Sequence, residues 1–361
     1  MKGIEEIHRR FAVSGPAGVV EWGLFCAMVP FGLIYGGIAW LRSMLYGAKV
    51  LPSYRSRIPV ISVGNIAVGG TGKTPFVNYL LGYFENRGIR PAVVSRGYGG
   101  TFSGRCAVVS DGNGPLCSPA YCGDEPFLLA QKHLRSLIMI APKRKDAIVE
   151  INAEKKADVI ILDDAFQHQQ VARDLNVVLL DERRPYGNGF PLPAGLLREF
   201  HGALRRADLL VMTRATKRVA SNTIYGLPAA VCRHQISSQM TSLAGQPVGL
   251  NSLKGQRGLA FAGIANPQLF FLDLLEMGLT LTQRVEFPDH AIYSGARLEW
   301  LRSQRDSVDY YVTTEKDAVK LSNQELGKPC YVASLQLDFF DKQALDVQLE
   351  MICKRIQNEI E

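Results

Sequence analysis

Residues 59–75 read Pro59-Val60-Ile61-Ser62-Val63-Gly64-Asn65-Ile66-Ala67-Val68-Gly69-Gly70-Thr71-Gly72-Lys73-Thr74-Pro75. A β-branched apolar run stops at a glycine-rich loop, which ends in Gly-Lys-Thr and opens into a helical pattern. That order of strand, loop and helix is what a phosphate-binding P-loop needs. Backbone N–H groups along such a loop turn toward phosphate oxygens, and the positive end of the following helix adds to the field. The nucleotide-binding set read from this stretch is Asn65, Ala67, Val68, Gly69, Gly70, Thr71, Gly72, Lys73 and Thr74. Lys73 is placed to reach the β- and γ-phosphates, and Thr74 to offer its hydroxyl to Mg²⁺. The strict pattern has Gly where this chain has Ala67, a small substitution. Pro75 suits the first helical turn, where its missing N–H has no intrahelical partner to lose. Phe76, Leu80, Tyr83 and Phe84 then recur at helical spacing, with Gly88 as a stop.

Downstream, Ala92–Ser95 reads as a second strand that runs into Arg96-Gly97-Tyr98-Gly99-Gly100, either a plain loop or one that holds an anionic or sugar group through Arg96 and Tyr98. Asp124 and Glu125 precede a helical run, where paired acids serve as a cap or as catalysts. Ala157–Asp164 is a strand ending in two carboxylates, Asp163 and Asp164. After a P-loop, acids at that place position the metal. His168 follows at the same sheet edge, as a brace or a site residue. Strands at 177–181 and 209–213 extend a parallel sheet, and the Gly/Pro-rich loop 185–200 between them carries Arg198 and Glu199. Loops of that length in compact domains are commonly functional, which makes both residues candidates for substrate binding. The pattern restarts near Gly258, with a helix from Pro267 to Met277 and strand-like pieces at 285–290 and 310–314. The expected fold is α/β, a P-loop NTPase-type, mostly parallel sheet with helices on both faces. Its expected division is an N-terminal hydrophobic helical segment (1–49), a P-loop core (50–225) and a smaller α/β domain (226–361).

Upstream, Trp22–Trp40 contains no charged residue and is just long enough to cross a bilayer as a helix. Tryptophans mark both ends and basic residues flank it, from Lys2, Arg9 and Arg10 to Arg42, Lys49, Arg55 and Arg57. No small-residue cleavage site marks it as a removable signal. Membrane attachment is favoured over a buried core helix, by spanning or by insertion into one leaflet. Either way the P-loop must face ATP, which puts the bulk of the chain on the cytoplasmic side. The net charge of +7 and pI near 9.0 invite an anionic partner, phosphorylated or a membrane surface. No basic run interleaved with aromatics points to nucleic acid. The seven cysteines show no C-x-x-C pair and no zinc set, so they read as reduced thiols.

Taken together, GNIAVGGTGKTP (64–75), SRGYGG (95–100), GDEP (123–126), LDDAFQH (162–168), LPAGLLRE (192–199), FPDH (287–290) and TTEKDAVK (313–320) resemble the tetraacyldisaccharide 4′-kinase family, the membrane-associated lipid A kinases of Gram-negative bacteria. The resemblance runs from the apolar helix to about residue 320. It implies transfer of the ATP γ-phosphoryl group to the 4′-hydroxyl of an acylated glucosamine disaccharide 1-phosphate at the cytoplasmic face of the bacterial inner membrane. It further implies Asp124 as general base, His290 as its support, and Asp163 and Asp164 as the tandem acids. No protein partner is implied. Two positions depart from the family pattern, Ala165 in place of Gly and Phe200 in place of Pro.

Two other function classes compete. One is a P-loop GTPase, ATPase switch or metallochaperone that hydrolyses nucleotide to drive a partner, although no N-K-x-D guanine reader is present. The other is a soluble small-metabolite kinase or ligase with a hydrophobic core helix.

Overall fold

A computed structural model describes residues 2–217, 223–321 and 325–360. The P-loop strand Val60–Gly64 lies at the centre of a ten-stranded sheet, parallel to Val159–Leu162 on one side and Leu175–Asp181 on the other. Beyond the first neighbour come Pro91–Ser95, Leu137–Ile140 and an antiparallel edge strand, Ala107–Asp111. Beyond the second come Leu209–Thr213, Leu227–Ile236 and the antiparallel Leu335–Asp341. Strand alternation sends successive side chains to opposite faces. Ile61 and Val63 therefore join one core under the helices Lys73–Glu85, Asp124–Lys132 and Gln343–Ile360, while Val60 joins another under Arg144–Glu154. Five of the central strands are buried at every position, which is why they read as continuous apolar runs.

A second sheet of six strands runs in the order Pro247–Gly249, Gln239–Ser242, Cys330–Ala333, Tyr310–Thr314, Arg257–Ala262, Thr280–Glu286, the last four parallel. The expected division after residue 225 differs from this arrangement. Strands Leu227–Ile236 and Leu335–Asp341 belong to the large sheet, and the terminal helix buries Leu345, Leu349, Ile352 and Ile356 in the P-loop core. The smaller lobe is thus an excursion between residues 237 and 334. The segment Leu-Pro-Ala-Ala-Val-Cys (227–232) is small and apolar on both faces, and only its pairing decides which sheet it completes.

The long N-terminal helix Val19–Gly47 is apolar enough to cross a membrane by length and composition, yet only a narrow stripe of it is buried. Gly32 and Gly36 lie against Pro191, Ala194 and Phe200 so closely that a Cβ on Gly36 would fall 2.6 Å from the Phe200 ring. Further along, Arg42 donates to the Gln167 carbonyl at 3.1 Å and the Arg206 guanidinium to the Ser43 hydroxyl at 2.5 Å. The rest of the helix presents Phe31, Ile34, Ile38, Trp40 and Leu41 to the outside.

Candidate active site

The loop after the central strand ends on Gly72, whose left-handed backbone (φ 87°) caps the helix beginning at Lys73. Only glycine fits there: a Cβ would lie 2.4 Å from His234 Nε2. Val68 to Thr74 line a cleft of about 1600 Å³ between the two lobes, with the first turn of the helix beginning at Lys73 in its wall. Asn65 and Ala67, both predicted to bind nucleotide, lie behind the loop. The Asn65 amide donates to the Thr71 hydroxyl at 3.0 Å, and Ala67 pairs with Leu197, so both shape the loop, and neither lines the cleft. The Val68 N–H is likewise taken, by the Leu196 carbonyl at 2.8 Å.

The tandem acids at the end of Val159–Leu162 part company. Asp163 is buried; its Oδ2 accepts from the Ser95 hydroxyl at 3.3 Å, while Oδ1 has no hydrogen-bond partner among the described residues. Burial, and then the charges of Glu125 and Asp164, push its pKa up to about 6. An orphaned buried carboxylate oxygen is a fitting place for a cation. Asp164, at φ 48°, turns instead to Arg198 (2.9 and 3.0 Å) and Lys73 (3.5 Å). Burial opposes its charge, but Lys73 and Arg198 outweigh burial and keep it ionised. No group of three or more His, Cys, Asp and Glu among the described residues forms a metal cage. Thr74 and Asp163 suit Mg²⁺ completed by phosphate oxygens and water, its usual habit.

Asp124 and Glu125 form the first turn of Asp124–Lys132, but neither caps it. Both side chains reach across to the smaller lobe. Asp124 Oδ2 lies 3.2 Å from His290 Nδ1 and 3.0 Å from Lys320 Nζ. Burial raises the Asp124 pKa, and the His290 hydrogen bond with the Lys320 charge more than reverses that. His290, held by the same hydrogen bond, is raised, and its ring lines the cleft beside Tyr98 at 5.8 Å between centroids. Glu125 pairs with Lys316, which together with Lys73 and Thr74 overcomes the burial penalty on its charge.

The sequence profile of the tetraacyldisaccharide-1-P 4′-kinase family (LpxK) matches residues 24–354. Relatives named tetraacyldisaccharide 4′-kinase include one from Syntrophotalea carbinolica, 44% identical with 96% of this chain and 97% of that protein covered. Another, from Geobacter sulfurreducens, is 41% identical with 95% and 98% covered. The chain belongs to this family. A solved structure of LpxK from Aquifex aeolicus, described as an "apo" form in complex with ATP, superposes with a TM-score of 0.77 at 29% identity, covering 91% of this chain and 99% of that one.

The two departures from the LpxK pattern are accommodated by packing. Phe200 fills the space opposite Gly36, and Ala165 is buried with its N–H on the Val63 carbonyl at 3.0 Å. Of the predicted substrate residues, Arg96, Tyr98 and Arg198 line the cleft and Glu199 does not. Glu199 is buried and takes a two-pronged ion pair from Arg206 (2.8 and 2.9 Å), so it anchors the loop rather than meeting substrate. His168 lines the cleft; burial and Arg144 lower its pKa to about 4, so it is a neutral imidazole there. Sequence reading gives no site role to Lys316 and Lys320, which lie within TTEKDAVK (313–320), or to His234, because a Lys or His shows no role until the fold gives it a partner.

Proposed function

We propose that the protein transfers the γ-phosphoryl group of ATP to the 4′-hydroxyl of a tetraacylated glucosamine disaccharide 1-phosphate, a lipid A precursor. One observation carries the reading. The P-loop lysine, His290, whose ring holds Asp124 just behind the wall, and the apolar N-terminal helix, through Tyr35, Ile38 and Ala39, border the same cleft. An enzyme that only hydrolyses nucleotide has no need of an apolar wall.

The acceptor oxygen attacks the γ-phosphorus, its new O–P bond forming as the bond to the β,γ-bridging oxygen breaks and ADP leaves with that electron pair. The hydroxyl proton passes to Asp124. The His290 ring holds Oδ2 of Asp124, and the ionised carboxylate is the member of the pair able to accept a proton. Lys73 neutralises charge growing on the phosphoryl oxygens, the main source of catalysis in this reaction class. Thr74 and Asp163 would hold Mg²⁺, which would offset negative charge on the phosphate oxygens. Arg96 and Tyr98 at the mouth suit the sugar and its phosphate.

The apolar helix is read as an inner-membrane anchor that lies in the cytoplasmic leaflet. It touches the catalytic lobe from Phe25, on Phe190, to Ser43, and a helix engaged along that length fits insertion into one leaflet. Incubating purified protein with γ-labelled ATP and the lipid precursor tests the function. Label in the lipid is the expected result. Release of free phosphate alone would overturn the kinase reading in favour of a nucleotide-driven switch.

A further inference from the structure

Three ion pairs join one short stretch of the smaller lobe to the helix that carries the proposed base: Glu315 to Lys132, Lys316 to Glu125, and Lys320 to Asp124. The third stands apart. Lys320 is nearly buried, its side chain 10% exposed, and its ammonium lies between Asp124 Oδ2 (3.0 Å) and Asp317 Oδ1 (3.6 Å). Asp317 is fully buried and rigidly held. Its Oδ2 accepts from the Gly263 N–H at 3.0 Å and from the Thr314 hydroxyl at 2.7 Å. Its Oδ1 has no hydrogen bond among the described residues, and the Lys320 charge compensates a carboxylate in the interior.

We propose that Lys320, fixed by Asp317, is a positioning residue for phosphoryl transfer: it pins Oδ2 of Asp124 from the smaller lobe and leaves Oδ1 to receive the acceptor's proton. Both His290 and Lys320 engage Oδ2, and among the described residues no hydrogen bond reaches Oδ1. A carboxylate on a free helix N-terminus would swing between rotamers. Two contacts from the other lobe orient it only when the lobes are together. The proposal rests on Asp124 as the base.

Full-length protein and the labelled-ATP assay test it. Lys320→Gln is expected to lower kcat by about 10- to 100-fold while KM for ATP and for lipid stay within about threefold, because the loss falls on the transition state alone. Lys320→Arg keeps the charge and is expected to recover most of kcat. In an Asp124→Asn background, Lys320→Gln is expected to cost less than about twofold more, since the two act as one unit. Wild-type kcat in Lys320→Gln overturns the proposal, as do losses that multiply across the two backgrounds. A raised KM with unchanged kcat also overturns it, as that marks a merely structural role. Should Lys320→Gln not fold, the same comparison is read from Lys320→Arg and Asp317→Asn, with wild-type kcat in Asp317→Asn counting against the proposal. If Asp124→Asn alone keeps its kcat, the base assignment has failed; if only the Lys320 variants are silent, this inference alone has failed.

Discussion

At the scale of single residues, the site depends on positions where one side chain too many or too few decides the outcome. Gly72 combines a left-handed backbone with a His234 ring in the space a side chain would fill. Gly72→Ala is expected to remove at least about 90% of turnover by distorting the phosphate loop, a loss of transition-state binding of about 1.4 kcal/mol or more. A variant that binds ATP and turns over normally would show that the loop tolerates displacement of His234. The Asp124–His290 pair gives a pH expectation with a definite sign. His290 is raised by its bond to Asp124, so its contribution to stability is complete below the ordinary histidine value of about 6.5 and is lost as pH rises through the raised value. Asp124 is lowered, so its contribution is complete above the ordinary value of about 3.9 and is lost as pH falls through the depressed one. The Tm difference between wild type and His290→Gln is therefore expected to be larger at about pH 6 than at about pH 9. Equal differences at both would mean that the contact seen here adds nothing in solution.

At the scale of elements, the N-terminal helix is the one whose face is unbalanced. Its buried stripe, Phe25, Gly32 and Gly36, follows i, i+7, i+11 spacing onto loop 185–200, and small residues there allow close approach. The opposite face is apolar and exposed among the described residues. Ile34 is 61% exposed and Leu41 50%, and neither lines the cleft, so charges there cost the fold little. Ile34→Glu with Leu41→Glu is expected to release the protein from anionic vesicles in a sedimentation assay. The same variant should raise KM for vesicle-borne lipid by about tenfold, with KM for ATP unchanged, because each buried aliphatic side chain contributes about 1.5–3 kcal/mol to insertion. Unchanged sedimentation would place the anchor elsewhere.

At the scale of the whole molecule, the two lobes are not consecutive blocks. The last strand and helix return to the P-loop lobe, where Leu345 and Leu349 are fully buried. Losing each such leucine costs about 2–5 kcal/mol, against a total stability of about 5–15 kcal/mol. Truncation after residue 334 is accordingly expected to leave the P-loop lobe unfolded, read as loss of its cooperative thermal transition and of ATP binding. A soluble, ATP-binding truncation would mean that the smaller lobe and the tail fold as one independent unit after residue 226.

What the sequence determined by itself was local. Strand, glycine loop and helix at 59–88, and the acids closing the strand before 164, follow from periodicity and from backbone conformations that only glycine adopts readily. These are short-range constraints that no distant contact needs to supply. The order of motifs was enough to indicate the family. Tertiary structure alone decided which of those residues keep a charge free for chemistry. Glu199 was neutralised by Arg206 and Asp164 by Arg198 and Lys73, while Asp163 kept a bare oxygen. It also brought Lys316 to Glu125 across 191 residues, and placed His290 and Lys320 on one oxygen of Asp124. Charge interactions act through space at a few ångströms and leave no period along the chain, so only the packed lobes could reveal them.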